Sequence, residues 1–318
     1  MKKLAALFTI LTLLVLAACG KSDDIATGGD SANSEKEKSY TVEHAMGSTE
    51  IKGTPKRVVI LTNEGTEALL SMGVTPVGAV QSWTGNPWYD HIADKMKDTK
   101  VVGTESDINI EAIAKLKPDL IIGNKMRQEK FYGQLSKIAP TVFAETLRGD
   151  WQENFKLYAK ALNKEDKGKE VLDAYNNRIE EIKTELGDKV NTKVSMVRFL
   201  AGDVRIYHKD SFSGVILDQI GFQRPGDQSK PDFAEKGVTK ERIPAMDGDV
   251  LFYFTYETGD GKANQVEKEW LEDPLFKNLN AAKNNKVYKV DDVIWNTAGG
   301  VMAANLMLDD IEKIFLNK

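Results

Sequence analysis

The sequence has very little of the residues that build metal centres and covalent cross-links. Its 318 residues include one cysteine and three histidines, which are His44, His91 and His208. A single cysteine excludes an intramolecular disulfide and a thiolate metal cluster. The histidines are scattered along the chain without metal-ligand spacing. We therefore expect no resident metal ion and no intrinsic cofactor.

Sequence motifs of the common enzyme classes are also missing. The chain has no G-x-S-x-G nucleophile motif, no Walker loop and no G-x-G-x-x-G after a predicted strand. Its formal net charge of −5 argues against a nucleic-acid partner. These absences favour a binding protein, while a surface-attached α/β enzyme acting on an anionic metabolite remains the alternative.

Long hydrophobic runs are confined to the N-terminus, where Lys2 and Lys3 precede an apolar stretch over residues 4–16. That stretch is too short for a comfortable membrane span and is typical of a secretory signal. The letters LAAC, ending at Cys19, resemble the lipobox of bacterial lipoproteins, in which the cysteine is lipidated and becomes the first mature residue. We expect a signal peptide over residues 1–18 and a lipid anchor on Cys19.

The segment after Cys19 is small, polar and charged, and Ile25 is its only large apolar residue up to residue 39. Such a composition cannot bury enough surface to fold, which predicts a flexible tether. Residues 19–39 are therefore interpreted as a lipidated N-terminus and tether that hold the folded part at the outer face of the cell membrane.

Beyond the tether, short apolar segments alternate with longer amphipathic ones, which is typical of α/β folds with parallel sheets and crossover helices. The stretch over residues 164–190 has apolar residues at spacings of three and four, which predicts one long helix. We predict an N-terminal α/β lobe over residues 40–163, a linker helix over 164–190 and a C-terminal α/β lobe over 191–318.

Arginine is scarce, with eight residues against 35 lysines, yet half of the arginines fall at or near predicted strand ends. These four are Arg127, Arg148, Arg198 and Arg205. Ligands of open α/β sheets bind at the carboxyl ends of strands, and guanidinium groups bind planar anionic oxygens with defined geometry. Each arginine could instead pair with an internal acid such as Glu145 or Asp203. Four together favour an anion-binding site.

Large aromatic residues are predicted at the same edge. They are Trp83, Tyr207, Tyr256 and Trp295. Aromatic side chains at strand ends can simply cover the core, but they can also line a cleft. Together with the arginines they predict a site for a bulky anion with apolar surface.

Several sequence blocks are similar to one protein family. TPKRVVILTNEGTEALLSMGVTPVGA, INIEAIAKLKPDLIIG, QLSKIAPTV, DSFSGVILDQIGF and WNTAGGVMAANLMLDDI resemble the substrate-binding lipoproteins of Gram-positive ABC importers for ferric siderophores. The resemblance extends from about Ser39 to Lys318. It is strongest to Bacillus-type receptors for citrate-hydroxamate siderophores such as schizokinen and arthrobactin.

The resemblance implies a class III periplasmic-binding-protein fold, with two Rossmann-like lobes bridged by one rigid helix and the ligand in the cleft between them. It implies a monomer that delivers a ferric siderophore to a membrane permease driven by a cytoplasmic ATPase. The siderophore, and not the protein, would hold the iron. Arg198 and Arg205 would contact the ligand from the second lobe, and Arg127 would face them from the first.

The family also implies an acidic docking residue for the permease on each lobe, and Glu67 and Asp218 are the candidate positions. Haem or another iron-free anion is an alternative ligand. Met126 and His208 lie close enough to the predicted site to be considered as axial ligands of haem.

Overall fold

A hairpin opens the part of the chain that the structure describes, which is residues 38–318 of a computed structural model. Strands β1 (Ser39–His44) and β2 (Gly47–Lys52) pair antiparallel, with Val42 and Ile51 on the buried face. The predicted signal peptide, Cys19 and nearly all of the tether lie outside the described residues. Among residues 38–318, no helix combines the length and apolarity that crossing a membrane requires.

A parallel five-stranded sheet follows the hairpin, in the order β5-β4-β3-β6-β7. Its strands are β3 (Val58–Ile60), β4 (Gly78–Ala79), β5 (Lys100–Val101), β6 (Leu120–Asn124) and β7 (Thr141–Ala144). The central strands β3 and β6 are fully buried because helices cover both faces of a parallel sheet. We call this sheet and its helices the first lobe.

The helices of the first lobe connect its strands as crossovers, except the last helix, which follows β7. They are α1 (Asn63–Ser71), α2 (Asp90–Ala93), α3 (Ile110–Lys115), α4 (Lys125–Gln128), α5 (Tyr132–Leu135) and α6 (Trp151–Ala161). Helix α1 begins directly after β3, and the side chain of Thr62 caps it by accepting from the amide of Gly65. This tight connection places the first turn of α1 at the carboxyl end of the sheet.

One long helix, α7 (Glu165–Leu186), joins the two halves. Its buried residues include Leu172, Tyr175, Ile179 and Ile182, which form the single apolar face that the sequence spacing predicts. The helix stops at Gly187, whose φ of 50° suits glycine. The division into a lobe over 40–163, a linker over 164–190 and a lobe over 191–318 stays a prediction at the level of those boundaries.

The second lobe is built on a mixed sheet in the order β10-β9-β8-β11-β12. Its strands are β8 (Val194–Leu200), β9 (Asp203–Tyr207), β10 (Ala234–Glu235), β11 (Val250–Tyr256) and β12 (Val287–Lys289). The expectation of parallel sheets is wrong for β9 and β10, which pair antiparallel. Only Ala201 and Gly202 connect β8 to β9, and a parallel pair would need a long crossover.

The helices of the second lobe are α8 (Phe212–Ile220), α9 (Lys262–Leu271), α10 (Pro274–Lys277), α11 (Asn280–Lys283) and α12 (Val301–Ile311). A turn of π-helix at Val293–Thr297 leads into α12. Helix α12 packs against α7 and α8 and also against α1 of the first lobe. It therefore belongs structurally to both lobes.

Candidate functional site

A cavity of about 420 Å³ lies between residues at the ends of strands, or in the connections that follow them, in both sheets. The first lobe contributes Glu64, Trp83, Glu105, Arg127, Leu147 and Arg148. The second contributes Arg198, Leu200, Arg205, Phe212, Phe233, Lys236, Tyr256 and the segment 296–299. All four arginines that the sequence placed near strand ends line this cavity, as do Trp83 and Tyr256.

In the first lobe, a buried carboxylate fixes the wall of the cavity. Oε1 of Glu105 accepts hydrogen bonds from the backbone amide of Asn63 at 2.7 Å and from its side-chain nitrogen at 2.8 Å. Arg127 lies 3.8 Å from Oε2 of Glu105, and its guanidinium group is 5.8 Å from the ring centroid of Trp83. Burial raises the pKa of Glu105, while the bonds from Asn63 oppose that rise.

Arg148 is held in an uncommon backbone conformation beside the cavity. Its φ is 80°, in the left-handed region that non-glycine residues rarely adopt. The guanidinium group lies 4.0 Å from the ring centroid of Phe233, which belongs to the second lobe. Burial, and next the charge of Arg127, lower the pKa of Arg148. The cation is thus placed against an aromatic face and close to another cation, as a site for an anion requires.

Arg198 is the most buried arginine of the cavity wall, with 6% of its surface exposed. Its Nε and Nη2 donate to the two carboxylate oxygens of Asp292 at 2.6 and 2.9 Å, and Nη1 donates to the hydroxyl of Tyr207 at 3.2 Å. Burial lowers the pKa of Arg198, but Tyr207 and Asp292 outweigh it and the net shift is upward. Arg198 therefore reaches the cavity with most of its charge compensated by an internal acid.

Arg205 and Lys236 supply the more open positive charge of the second lobe. Nε of Arg205 donates to Asp203 at 2.6 Å, which is the internal pairing considered from the sequence, and a quarter of its side chain stays exposed. Lys236 lies 5.7 Å from the ring of Phe233. Glu145, the other acid considered, bonds Lys125 instead. Five cationic and two acidic side chains line the cavity, so positive charge is in excess.

Two predicted aromatic contacts do not reach the cavity. Tyr207 is fully buried between the rings of Phe233 and Phe254, and its role is to hold Arg198 through its hydroxyl. Trp295 is also fully buried. Its ring packs against the core of the second lobe, and its Nε1 donates to Asp310 at 2.8 Å. Both expectations are corrected for the same reason, since an aromatic residue near a strand end can turn inward as easily as outward.

The predicted docking acid Glu67 is fully buried, which the expectation of a surface position did not foresee. Its Oε2 accepts from the amides of Met302 and Ala303 at 2.9 Å, and its Oε1 lies 2.5 Å from Nε2 of His91. The carboxylate thus caps the N-terminus of α12, where four amides lack helical partners. Asp218 is more than half exposed and pairs with Lys209, so its docking role stays a prediction.

The two candidate haem ligands do not line the cavity. His208 is 2% exposed and its Nδ1 bonds Asp232. Met126 is exposed at the surface. Within residues 38–318, no group of three or more His, Cys, Asp or Glu side chains is arranged to hold a metal ion.

Sequence reasoning did not single out several cavity residues. Glu64 and Glu105 are acids in a site expected to be cationic, and Phe233 and Lys236 flank the two-residue strand β10, which is too short to give a periodic signal. Glu64 follows β3 directly, so the strand-end rule already placed it at this edge. Nothing in the local sequence distinguishes Phe233 or Lys236 from ordinary loop residues.

Glu64 has a distinct environment among the acids of the site. Oε1 accepts from the side-chain nitrogen of Asn154 at 2.7 Å and from the hydroxyl of Tyr158 at 2.9 Å. Burial raises the pKa of Glu64 to about 8, the two hydrogen bonds oppose the rise, and the charges of Glu105 and Asp150 add to it.

Hydrogen bonds connect the two lobes at the edges of the cavity. The hydroxyl of Tyr256 donates to the carbonyl of Trp83 at 3.3 Å, and the hydroxyl of Tyr89 donates to the carbonyl of Thr297 at 3.1 Å. With the bonds from α12 to Glu67, they fix the separation of the cavity walls.

Comparisons with known proteins agree on one group. Residues 58–294 match a family described as periplasmic binding protein. Over 326 aligned residues the chain is 53% identical to the probable siderophore-binding lipoprotein YfiY of Bacillus subtilis, covering 99% of this chain and 98% of the relative. It is 34% identical to the Fe(3+)-citrate-binding protein YfmC of the same species, at 99% and 98% coverage. The crystal structure of Staphylococcus aureus SirA complexed with staphyloferrin B is similar with a TM-score of 0.82 and 40% identity, covering 87% of this chain and 98% of SirA.

Proposed function

The chain belongs to the periplasmic binding protein family, and from that premise we propose that it is the siderophore-binding receptor of an ABC importer for iron. It has the class III fold of that family and is a binding protein, not an enzyme. The ferric siderophore is its cargo, and the protein needs no cofactor of its own to bind it.

The choice of ligand class rests on one observation. Both lobes contribute positive charge to a single cavity, and this positive charge is in excess. Arg127 and Arg148 face it from the first lobe, and Arg205 and Lys236 from the second. Guanidinium groups in a partly desolvated cleft bind carboxylate and hydroxamate oxygens more strongly than exposed cations do. We therefore assign the ligand to the anionic ferric complexes, with the citrate-hydroxamate siderophores as the preferred class.

Apolar surface of the cavity suits the organic backbone of such a ligand. Trp83, Phe233 and Tyr256 line the cavity, and each has an arginine of the cavity beside its ring. Related proteins are named for comparable ligands, since YfmC is an Fe(3+)-citrate-binding protein and SirA is complexed with staphyloferrin B. Ferric citrate-hydroxamate combines anionic oxygens with an apolar backbone, and it matches both features of the cavity.

The delivery step and the anchor follow from the same proposal. A lipid on Cys19 and the tether to residue 39 would keep the receptor, as a monomer, at the outer face of the membrane. There it would pass the ligand to a permease driven by a cytoplasmic ATPase. Asp218 is the remaining candidate for docking, because its carboxylate is accessible.

A fluorescence titration tests the ligand class. Trp83 lines the cavity, whereas Trp88, Trp151, Trp270 and Trp295 are buried. We expect a ferric citrate-hydroxamate complex to quench the purified protein at submicromolar concentration, and a neutral ferric tris-hydroxamate to bind at least tenfold more weakly. Tighter binding of the neutral complex, or quenching by haemin alone, would contradict the assignment.

Two arginines of the second lobe make a matched pair of variants. Arg205 and Arg242 each bond a neighbouring acid, but only Arg205 lines the cavity. Arg205→Met should weaken binding about tenfold to a hundredfold, the value of a hydrogen bond to a charged group. Arg242→Met should leave the affinity unchanged. Equal affinities for the two variants would remove Arg205 from the site.

A further inference from the structure

Glu64 is an acid in a cavity built for an anion. It lies in the first turn of α1, directly after β3, and it is one of the residues that line the cavity. Only 6% of its surface is exposed. An ionised carboxylate at this position would repel an anionic ligand, so the protonation state of Glu64 affects the affinity of the site.

The hydrogen bonds of Glu64 are unevenly distributed between its two oxygens. Oε1 accepts from both Asn154 and Tyr158. Within residues 38–318 no protein group bonds Oε2, and that oxygen is not sealed from solvent, so it faces the cavity. A neutral carboxyl group has one carbonyl oxygen, which only accepts, and one hydroxyl, which donates. Oε1, which accepts two hydrogen bonds, therefore corresponds to the carbonyl oxygen, and Oε2 corresponds to the hydroxyl.

The charged groups around Glu64 support the neutral form. Its pKa is raised to about 8, chiefly by burial, with the bonds from Tyr158 and Asn154 lowering it and the charges of Glu105 and Asp150 adding to the rise. Among residues 38–318 no cation forms an ion pair with Glu64, since Arg127 lies beside Glu105 and Arg148 lies over the ring of Phe233.

The remaining neighbours of Glu64 do not neutralise a negative charge on it. On its own helix, the carboxylate of Glu67 is directed to His91 and to the N-terminus of α12. From the second lobe, the uncharged residues Gly299 and Gly300 approach Glu64, and Arg198 is paired with Asp292.

We propose that Glu64 is a specificity-determining residue that donates a hydrogen bond from its protonated Oε2 to an anionic oxygen of the bound ferric complex. This inference rests on the proposed function and specifies one contact within it. The favoured acceptor is a carboxylate or alkoxide oxygen, because such an oxygen gains a donor without a further counter-charge. A ligand that offers only donors at this point is disfavoured.

Binding is then linked to one proton. Above the pKa of Glu64, the protein must take up a proton to bind, and its affinity falls about tenfold for each further pH unit. The site therefore holds an anionic ligand best at neutral and mildly acidic pH. A glutamine at position 64 keeps a donor but cannot ionise, so it removes the linkage.

The test is the affinity for a ferric citrate-hydroxamate complex between pH 6.5 and 9.5, measured for the wild type and for Glu64→Gln. We expect the wild-type Kd to stay level up to about pH 8 and then to rise about tenfold per unit. For Glu64→Gln we expect a level Kd. Glu153→Gln, an exposed acid on α6, is the control and should follow the wild type. Any titration of the ligand itself appears equally in all three proteins.

Calorimetry in buffers of different ionisation enthalpy gives a second readout. At pH 8 the wild type should take up about half a proton per complex formed, because the free acid is then half protonated. Glu64→Gln should take up no proton. If this variant does not fold, the proton uptake of the wild type alone tests the proposal. Matching pH profiles, or no proton uptake by the wild type, would overturn the role of Glu64 while leaving the receptor function intact. Failure of the wild type to bind any ferric complex at pH 7 would contradict both the role of Glu64 and the receptor function.

Discussion

Arg198 and Asp292 form an ion pair whose side chains are each 7% exposed. A buried pair contributes little compared with well-packed apolar residues, but a single buried charge without its partner is very unfavourable. The pair therefore fixes the position of Arg198 more than it stabilises the fold. Tyr207 adds a third bond from the other side, so the guanidinium group is held rigidly at the cavity wall.

Removing one member of this pair should be worse than removing both. We expect Asp292→Ala to lower the free energy of unfolding by about 3–5 kcal/mol, because it leaves the guanidinium group of Arg198 buried and unpaired. The double variant Arg198→Met with Asp292→Leu should lose less free energy of unfolding than Asp292→Ala does. Urea unfolding measures both, with the exposed Asp188→Ala as control. A cost below about 1 kcal/mol for Asp292→Ala would show that water reaches the pair.

The raised pKa of Glu64 predicts a pH effect on stability without any ligand. Between the unfolded pKa of about 4.3 and the folded pKa of about 8, the unfolded chain releases the proton that the folded protein keeps. The wild type therefore loses stability as pH rises through this window. The stability of Glu64→Gln relative to the wild type should grow by about 1.4 kcal/mol per pH unit, measured by urea unfolding at pH 5, 6, 7 and 8. Parallel curves would mean that Glu64 ionises normally.

The sequence predicts which residues approach the cavity better than it predicts how deeply they lie. The strand-end rule places Arg127 and Arg148 at the cavity, whereas Arg205 reaches it because β9 returns antiparallel beside β8 and sets Arg205 opposite Arg198. It cannot distinguish Trp83, which lines the cavity, from Trp295, which packs into the core, because that difference depends on contacts between distant segments.

At the scale of elements, the contact between α1 and α12 determines how the two lobes meet. The carboxylate of Glu67 accepts from the first amides of α12, and Gly300 lies directly before that helix. A Cβ atom at Gly300 would lie 2.6 Å from Oε2 of Glu67 and 2.9 Å from the carbonyl of Glu64. Glycine is required here because the neighbouring atoms leave no room for a side chain. Its backbone is extended and not left-handed, so conformation alone would permit other residues.

Gly300→Ala should therefore separate α12 from α1. We expect the free energy of unfolding to fall by about 1–3 kcal/mol, the usual cost of overpacking, because backbone atoms must move to make room. Gly226→Ala is the matched control, since a Cβ atom there meets nothing within 4 Å, and its effect should be within about 0.5 kcal/mol. Equal unfolding midpoints for the two variants in urea would contradict the close packing.

Periodicity predicts long elements well and short connections poorly. The apolar spacing over residues 164–190 identified α7, because a helix of 22 residues repeats its pattern several times. The sequence analysis did not predict the antiparallel pairing of β9, although the short connection before β9 indicates it. Two residues between β8 and β9 are too few for a crossover, so loop length would have predicted the hairpin.

At the scale of the whole molecule, the receptor combines a net negative charge of −5 with a cavity lined mainly by cations. The sequence blocks predicted the family and the class of fold, and both are confirmed. They did not predict that Glu67 is buried, because the same acid can serve as a surface contact or as a helix cap, and the choice depends on where α12 lies.

The lipid anchor expected on Cys19 predicts the location of the whole protein. Cys19→Ala should remove the lipid attachment site, so that the protein leaves the membrane fraction for the medium or stays as an unprocessed precursor. Cell fractionation and labelling with a radioactive lipid precursor measure both outcomes. Ser22→Ala, in the same polar segment, is the control and should stay in the membrane fraction. Continued lipid labelling of Cys19→Ala would rule out this cysteine as the anchor.

Helix α12 has a consequence for recombination between relatives. A chimera that joins the first half of this chain to the second half of another receptor would set Glu67 against a different helix N-terminus, and any residue larger than glycine at the position of Gly300 would meet its carboxylate. Exchanges of ligand specificity should succeed more often through substitutions in the cavity wall than through the shuffling of halves.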